Sequence, residues 1–224
     1  MCDANGLNVY TCHKVAKAPV IDGRLDDEAW TKAEPIILVD TVTGKPVTKR
    51  TVAKMCWDDI HLYISFECED EDIWGTFTKH DEWVFTEEVV EAFLCPTCDI
   101  NRYFEINVSP RNVVFDGDLQ LVNGQHPGVA AMMGWDCKDL RTAVVVDGTL
   151  DDRTDKDRGW TVEMAIPFES LRRQTPKPGE RWRGNLYRID LTPPPAEYQA
   201  WSPTFVTPAS FHVSTRFGTI FFAE

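Results

Sequence analysis

The chain is short of positive charge: 23 Lys and Arg stand against 36 Asp and Glu in 224 residues, a formal net charge of −13. A field of that sign repels phosphate backbones and anionic headgroups, which argues against nucleic acid as a principal partner. Long apolar runs are missing too. No stretch approaches the roughly 20 residues needed to span a bilayer, so no membrane insertion is expected. Residues 1–10 hold no basic segment followed by an apolar run, so no signal peptide is visible; the compartment and the oligomeric state stay open. No Gly-rich phosphate loop lies between a strand and a helix. The five histidines, at 13, 61, 80, 126 and 212, show no short metal-binding spacing. His80 adjoins Asp81, but neighbours along a strand point apart, which argues against a dyad.

Cysteine is present in an odd number, seven, at positions 2, 12, 56, 68, 95, 98 and 137. A secreted disulfide framework favours an even count, and a chain of this length can build a core without one. Cys95 and Cys98 have the spacing of a redox pair or half a zinc knuckle, yet no second metal pair follows and a strand turn surrounds them. They read as incidental hairpin cysteines.

Short apolar runs punctuated by turn residues dominate what is there, the pattern of an all-β domain. Arg50–Met55 and His61–Cys68 flank Trp57-Asp58-Asp59 as one hairpin, with Leu62, Ile64 and Phe66 on one face. Val89–Leu94 and Tyr103–Val108 form a second around Cys95–Asp99. Further strands are expected at Asn112–Phe115, Arg141–Val146, Trp160–Ile166, Arg183–Ile189, Glu197–Trp201 and Phe217–Phe222. Helix is scarce: Asp26–Trp30 can open one short segment, and Phe168–Arg172 adds a turn. A two-sheet antiparallel β-sandwich is the economical way to cover an apolar face on each strand set. Residues 1–17 read as an N-terminal extension and residues 18–224 as a single domain.

The densest acidic run, Glu67 to Asp72, contains Glu69, Asp70 and Asp72, and oxygen donors at a turn suit Ca²⁺. A solvated acidic loop is the alternative. Trp57, Trp160 and Trp182 sit at strand ends as core candidates, whereas Trp83, Phe85 and Trp201 lie at strand edges beside polar residues. Exposed aromatic faces can cover the C–H face of a sugar while nearby carboxylates and amides read its hydroxyls. The long irregular segment Leu119–Asp139 can supply further contacts.

The order of several motifs resembles the family 9 carbohydrate-binding modules and their stand-alone, DOMON-like relatives. They are Pro19-Val-Ile-Asp-Gly-Arg-Leu-Asp-Asp-Glu-Ala-Trp30, the run Trp57–Asp70, Glu88–Leu94, Tyr103–Asn107, Trp160–Phe168, Arg183–Arg188 and Trp201-Ser-Pro-Thr204. The resemblance implies a lectin-like, non-catalytic recognition of a mono- or oligosaccharide, such as a plant-polysaccharide fragment or its reducing end. It also implies a sugar clamped between two aromatic rings, and structural Ca²⁺. By that resemblance Trp201 is one ring, and the other falls near Phe85, with Phe85 or Trp83 two residues away supplying it. Glu91 and Asn107 match hydroxyl-reading positions, and Asp70 matches a position in the calcium-associated loop. Glu105 stands where the family's sugar binders have Arg, a departure that bears on sugar specificity. A divergent carbohydrate-active enzyme using paired carboxylates, and a scaffold with a different small ligand, are the alternatives.

Overall fold

A computed structural model describes residues 6–129, 132, 134–192 and 195–224; Cys2 lies outside them. Its described residues form thirteen strands and one short helix. In chain order they are β1 (Val9–Lys14), α1 (Glu28–Lys32), β2 (Ile36–Ile37), β3 (Val39–Asp40), β4 (Thr51–Trp57), β5 (His61–Glu69), β6 (Val89–Cys95), β7 (Arg102–Val108), β8 (Val114–Gln120), β9 (Arg141–Asp147), β10 (Gly159–Pro167), β11 (Arg181–Asp190), β12 (Glu197–Ala200) and β13 (Gly218–Ala223). Hydrogen bonding runs continuously in the order β8-β7-β6-β11-β13-β1-β4-β5-β10-β9, with β12 and β3 beyond β11 and β2 on β4. The ribbon folds over so that its two halves face each other as a β-sandwich.

The main core lies between the halves. Val90, Ala92 and Leu94 of β6, Phe104, Ile106 and Val108 of β7, and Trp182 and Leu186 of β11 come from one layer. Met55 and Trp57 of β4, Ile64 and Phe66 of β5, and Val162 and Met164 of β10 come from the other. The period-two spacing of these residues puts one face of each strand inward. All seven residues of β6 are nonetheless buried, because Val89, Phe93 and Cys95 on its other face belong to a second apolar cluster. That double burial explains why β6 reads as an apolar run interrupted only by Glu91. The second cluster lies on the opposite, outer side of that layer.

Every strand expected from the sequence forms, with ends displaced by a few residues. One feature differs. The segment set apart as an extension supplies β1, which lies parallel between β13 and β4 in the middle of the ribbon and buries Tyr10 and Cys12. Its alternation is only six residues long and half polar, so the signal is weak until its partners are known. Those two parallel pairings interrupt an otherwise antiparallel sheet. The Pro19–Trp30 motif is structural: Glu163 on β10 accepts hydrogen bonds from Trp30 Nε1 (2.6 Å), Gly23 N (2.7 Å) and Asp22 N (3.0 Å), pinning this turn and α1 to the sheet.

Candidate functional site

Strands β8-β7-β6-β11-β12 present one continuous outer face. Register places Phe115, Asn107, Glu91 and Tyr187 in a single row across four of them. Glu105 lies two residues along β7 from Asn107 and so shares its face. A cavity of about 240 Å³ opens over this row, lined among others by Phe85, Glu91, Glu105, Phe115, Tyr198 and Phe211. Phe85 sits on the 3-10 turn Val84–Thr86 that leads into β6 and packs edge-on against Phe115 on β8, 5.0 Å between centroids. Tyr198 on β12 and Phe211 stand at the other end of the strand run, where Phe211 stacks on Tyr187 at 4.1 Å and 12°. Between the aromatic ends lie two carboxylates, Glu91 and Glu105. Val129 and Met132, from the irregular segment after β8, close part of the rim.

Electrostatics set this face apart. Glu91 and Glu105 are buried with no ion-pair partner among the described residues. Burial, followed by the repulsion of Glu105, holds the Glu91 carboxyl well above the ordinary carboxylate range. Burial pushes Glu105 up to about 7, partly offset by a 2.8 Å hydrogen bond from Asn107 Nδ2 to its Oε1. Glu105 Oε2 and Asn107 Oδ1 are both buried without a hydrogen-bond partner. An unmatched buried acceptor costs about 1–3 kcal/mol, so this floor is prepared for donors that the chain does not supply. His212, 2.8 Å from the Tyr103 hydroxyl, is pushed down to about 3 by burial and the neighbouring His126 ring and stays neutral.

The structure brings together Phe85, Glu91 and Glu105, with Asn107 hydrogen-bonded to Glu105 beside them. Trp83 stacks on Phe85 at 6.0 Å and 24° and is 52% exposed, an outer lip. Trp201 does not join them. It is 6% exposed, lies in the main core with its ring edge-on to Tyr10 at 6.5 Å, and lines a different groove. A Cβ at Gly218 would come within 2.7 Å of its ring. The aromatic end opposite Phe85 is made by Tyr198 and Phe211. Glu197–Trp201 reads as one strand in the sequence, but β12 stops at Ala200 and the chain bends at Trp201 into the core. Tyr198, the second residue of the strand pattern Glu-Tyr-Gln-Ala, was detectable as the aromatic of a β12 face; Phe211, in an irregular segment, carried no such signal.

Asp70, Glu69 and Asp72 do not converge on one ligand set. Asp72 Oδ2 accepts from Arg153 (2.6 Å), and exposed Glu69 accepts from the Arg50 amide (3.1 Å). Asp70 is drawn instead to Glu88 and Asp190, with ligand-type atoms within 4.8 Å of one another. That trio already encloses two cations of the chain. Arg188 Nη2 lies 2.7 Å from Asp70 Oδ2 and 3.4 Å from Asp190 Oδ2. Lys49 Nζ lies 3.3 Å from Asp70 Oδ1 and 3.2 Å from Asp190 Oδ1, and also donates to the Thr192 carbonyl. Burial raises Glu88 to about 8. Ca²⁺ at this trio would have to displace Arg188 and Lys49, which already sit among its carboxylates. Cys95 is a buried free thiol and Cys98 is disulfide-bonded, so the two do not act as a redox pair with each other.

A β-sandwich with an aromatic-ended, acceptor-floored cavity on one outer face defines a ligand-binding module of the carbohydrate-binding class. The family model "Carbohydrate family 9 binding domain-like" matches residues 21–223, and the chain belongs to that family. Among solved structures, a candidate carbohydrate-binding protein from Bacteroides uniformis superposes with a TM-score of 0.75 at 16% identity, covering 96% of this chain and 98% of that one. A family 9 carbohydrate-binding module from Caldicellulosiruptor kristjanssonii in complex with cellotriose gives a TM-score of 0.65 at 18% identity, covering 96% and 94%. Of the curated relatives, Exoglucanase XynX of Acetivibrio thermocellus is 31% identical over 100 residues, 45% of this chain and 9% of that protein. Endo-1,4-beta-xylanase A of Thermoanaerobacterium saccharolyticum is 30% identical over 100 residues, 45% and 8%. The matched region is thus less than a tenth of either relative's length.

Proposed function

We propose that this chain binds a neutral saccharide without turning it over, at the cavity between Phe85 and the Tyr198–Phe211 pair. The observation that carries this reading is the pair of unpartnered buried acceptors, Glu105 Oε2 and Asn107 Oδ1, under aromatic ends. Sugar hydroxyls both donate and accept, so they can satisfy the Asn107 oxygen and the Glu105 carboxyl in either protonation state, and the apolar C–H face of a pyranose can cover a ring. The volume of about 240 Å³ suits one or two sugar rings, consistent with recognition of a chain end, and a plant-polysaccharide fragment is the ligand class we assign. Family membership supports the reading, as do the cellotriose and glucose complexes of the Caldicellulosiruptor kristjanssonii module. Glu105 in place of Arg removes a cationic donor and leaves an acceptor, so the hydroxyls recognised must differ from those an Arg would read.

Calorimetric titration with glucose, cellobiose, cellotriose, xylobiose and their reduced alditols tests this. Saturable heat from at least one sugar, reduced tenfold or more in Phe85→Ala, is the expected result. An alditol that binds as well as its parent sugar removes the reducing end from the proposal. Reproducible sugar release, abolished in Glu91→Gln, overturns the non-catalytic reading.

A further inference from the structure

We propose that His80, Asp81, Asp116 and Asp136 form a binding site for a first-row divalent transition ion, Zn²⁺ being the probe ion. One ligand atom from each lies within 4.8 Å of all the others. His80 Nε2 stands 3.4 Å from Asp81 Oδ1, 3.4 Å from Asp136 Oδ1 and 3.9 Å from Asp116 Oδ1. Ligand bonds of roughly 2.0–2.1 Å in a tetrahedron put neighbouring donor atoms about 3.3 Å apart. The cluster is therefore within a small contraction of that geometry.

Asp116 supplies the independent pointer to a ligand. It is 2% exposed; its Oδ2 accepts the Cys137 amide at 3.0 Å, and its Oδ1, turned toward the cluster, has no hydrogen-bond partner. Among the described residues no Lys or Arg forms an ion pair with any of the three carboxylates. The contrast with Asp70 is direct, since there the chain provides its own cations. One imidazole with three carboxylates favours Zn²⁺ or Mn²⁺ over Ca²⁺, which takes oxygen donors.

The adjacency of His80 and Asp81, set aside because strand neighbours point apart, becomes productive because Asp81 is no strand residue. Its φ of 65° turns the chain so that both side chains meet. The four ligands come from three places: the segment leading to Trp83 and Phe85, β8 beside Phe115, and the segment after β8 that also carries Val129 and Met132. An ion there would tie the Phe85 end of the cavity to its rim, whatever ligand the cavity holds.

Titration of chelator-treated full chain with Zn²⁺, followed by calorimetry and thermal melting, tests the site. Expected are one equivalent bound and a higher Tm, with affinity lowered at least tenfold in His80→Ala and in Asp136→Asn. Both residues are exposed, so these variants fold. Co²⁺ loading should give visible d–d absorption that changes in His80→Ala, a readout that surface binding or a cysteine site does not share. Unchanged affinity in both variants, no saturable binding, or Ca²⁺ raising the Tm as well as Zn²⁺ would each overturn the proposal. Sugar titrations of the same variants in chelator keep this test separate from that of the cavity.

Discussion

Two sets of buried acids lie on opposite sides of one layer of the sandwich, and they are treated differently. On the inner side, Asp190 at the end of β11 and Asp70 just after β5 are matched by Arg188 and Lys49 at 2.7–3.4 Å. On the outer face, Glu91 and Glu105 meet no cation among the described residues, and Glu105 has only the Asn107 amide as a donor. A charged set closed by its own counter-ions holds the layers together. A set left with open acceptors beneath aromatic rings is placed for something that arrives from outside. Burial alone therefore does not mark function; what distinguishes the outer face is the absence of partners.

The largest expected effect breaks the inner set. Asp70→Ala leaves Arg188, fully buried, short of a counter-charge and should cost about 3–5 kcal/mol in denaturant unfolding. Trp201→Ala should cost a similar 3–5 kcal/mol by opening a core cavity, while a folded Trp201→Ala protein with a full stability but no sugar binding would return that residue to the clamp. On the outer face the order reverses: Phe85→Ala should lose about 1–2 kcal/mol of sugar affinity with little change in Tm. Trp83→Ala, at an exposed lip, should lose less than about 1 kcal/mol of affinity by the same measurement.

A pH slope probes one acid of each set together. Folding raises Glu105 from 4.5 to about 7 and Glu88 from 4.5 to about 8. Each holds its proton in the folded state where the unfolded chain has lost it, so their contribution to stability is full below about pH 4.5 and disappears as pH rises through about 7 to 8. Chemical denaturation at about pH 5 and about pH 8 should show that decline, and Glu105→Gln should make it shallower. A Glu105→Gln slope equal to that of the unaltered chain would mean that Glu105 is ionised throughout.

Much of the fold was legible because β4 to β13 alternate or run apolar over four to ten residues between turn signals. Asp58 shows how local this is: its Oδ1 accepts the Ile60 and His61 amides, each at 2.7 Å, and so closes the β4–β5 turn from its own sequence position. β1 escaped because its pairing with β13 joins residues more than 200 positions apart. In the candidate site, the grouping of Glu91, Glu105 and Asn107 on one face was legible from motif order, since adjacent strands in register carry them, and Phe85 follows from the turn that leads into β6. Trp201 misled, because whether a Trp after a strand turns outward or into the core depends on packing against Tyr10 and Gly218 rather than on its neighbours in sequence. Phe211 was invisible for the converse reason, being brought to the cavity by an irregular segment.

Chemical-shift mapping of the isotopically labelled chain during a cellotriose titration tests the central claim most directly. The account predicts shifts clustered at Phe85, Glu91, Glu105, Asn107, Tyr198 and Phe211, with the residues around Trp201 unmoved. Shifts centred on the groove of Trp201, Pro203 and Phe205, with the outer face of β6 and β7 silent, would contradict it.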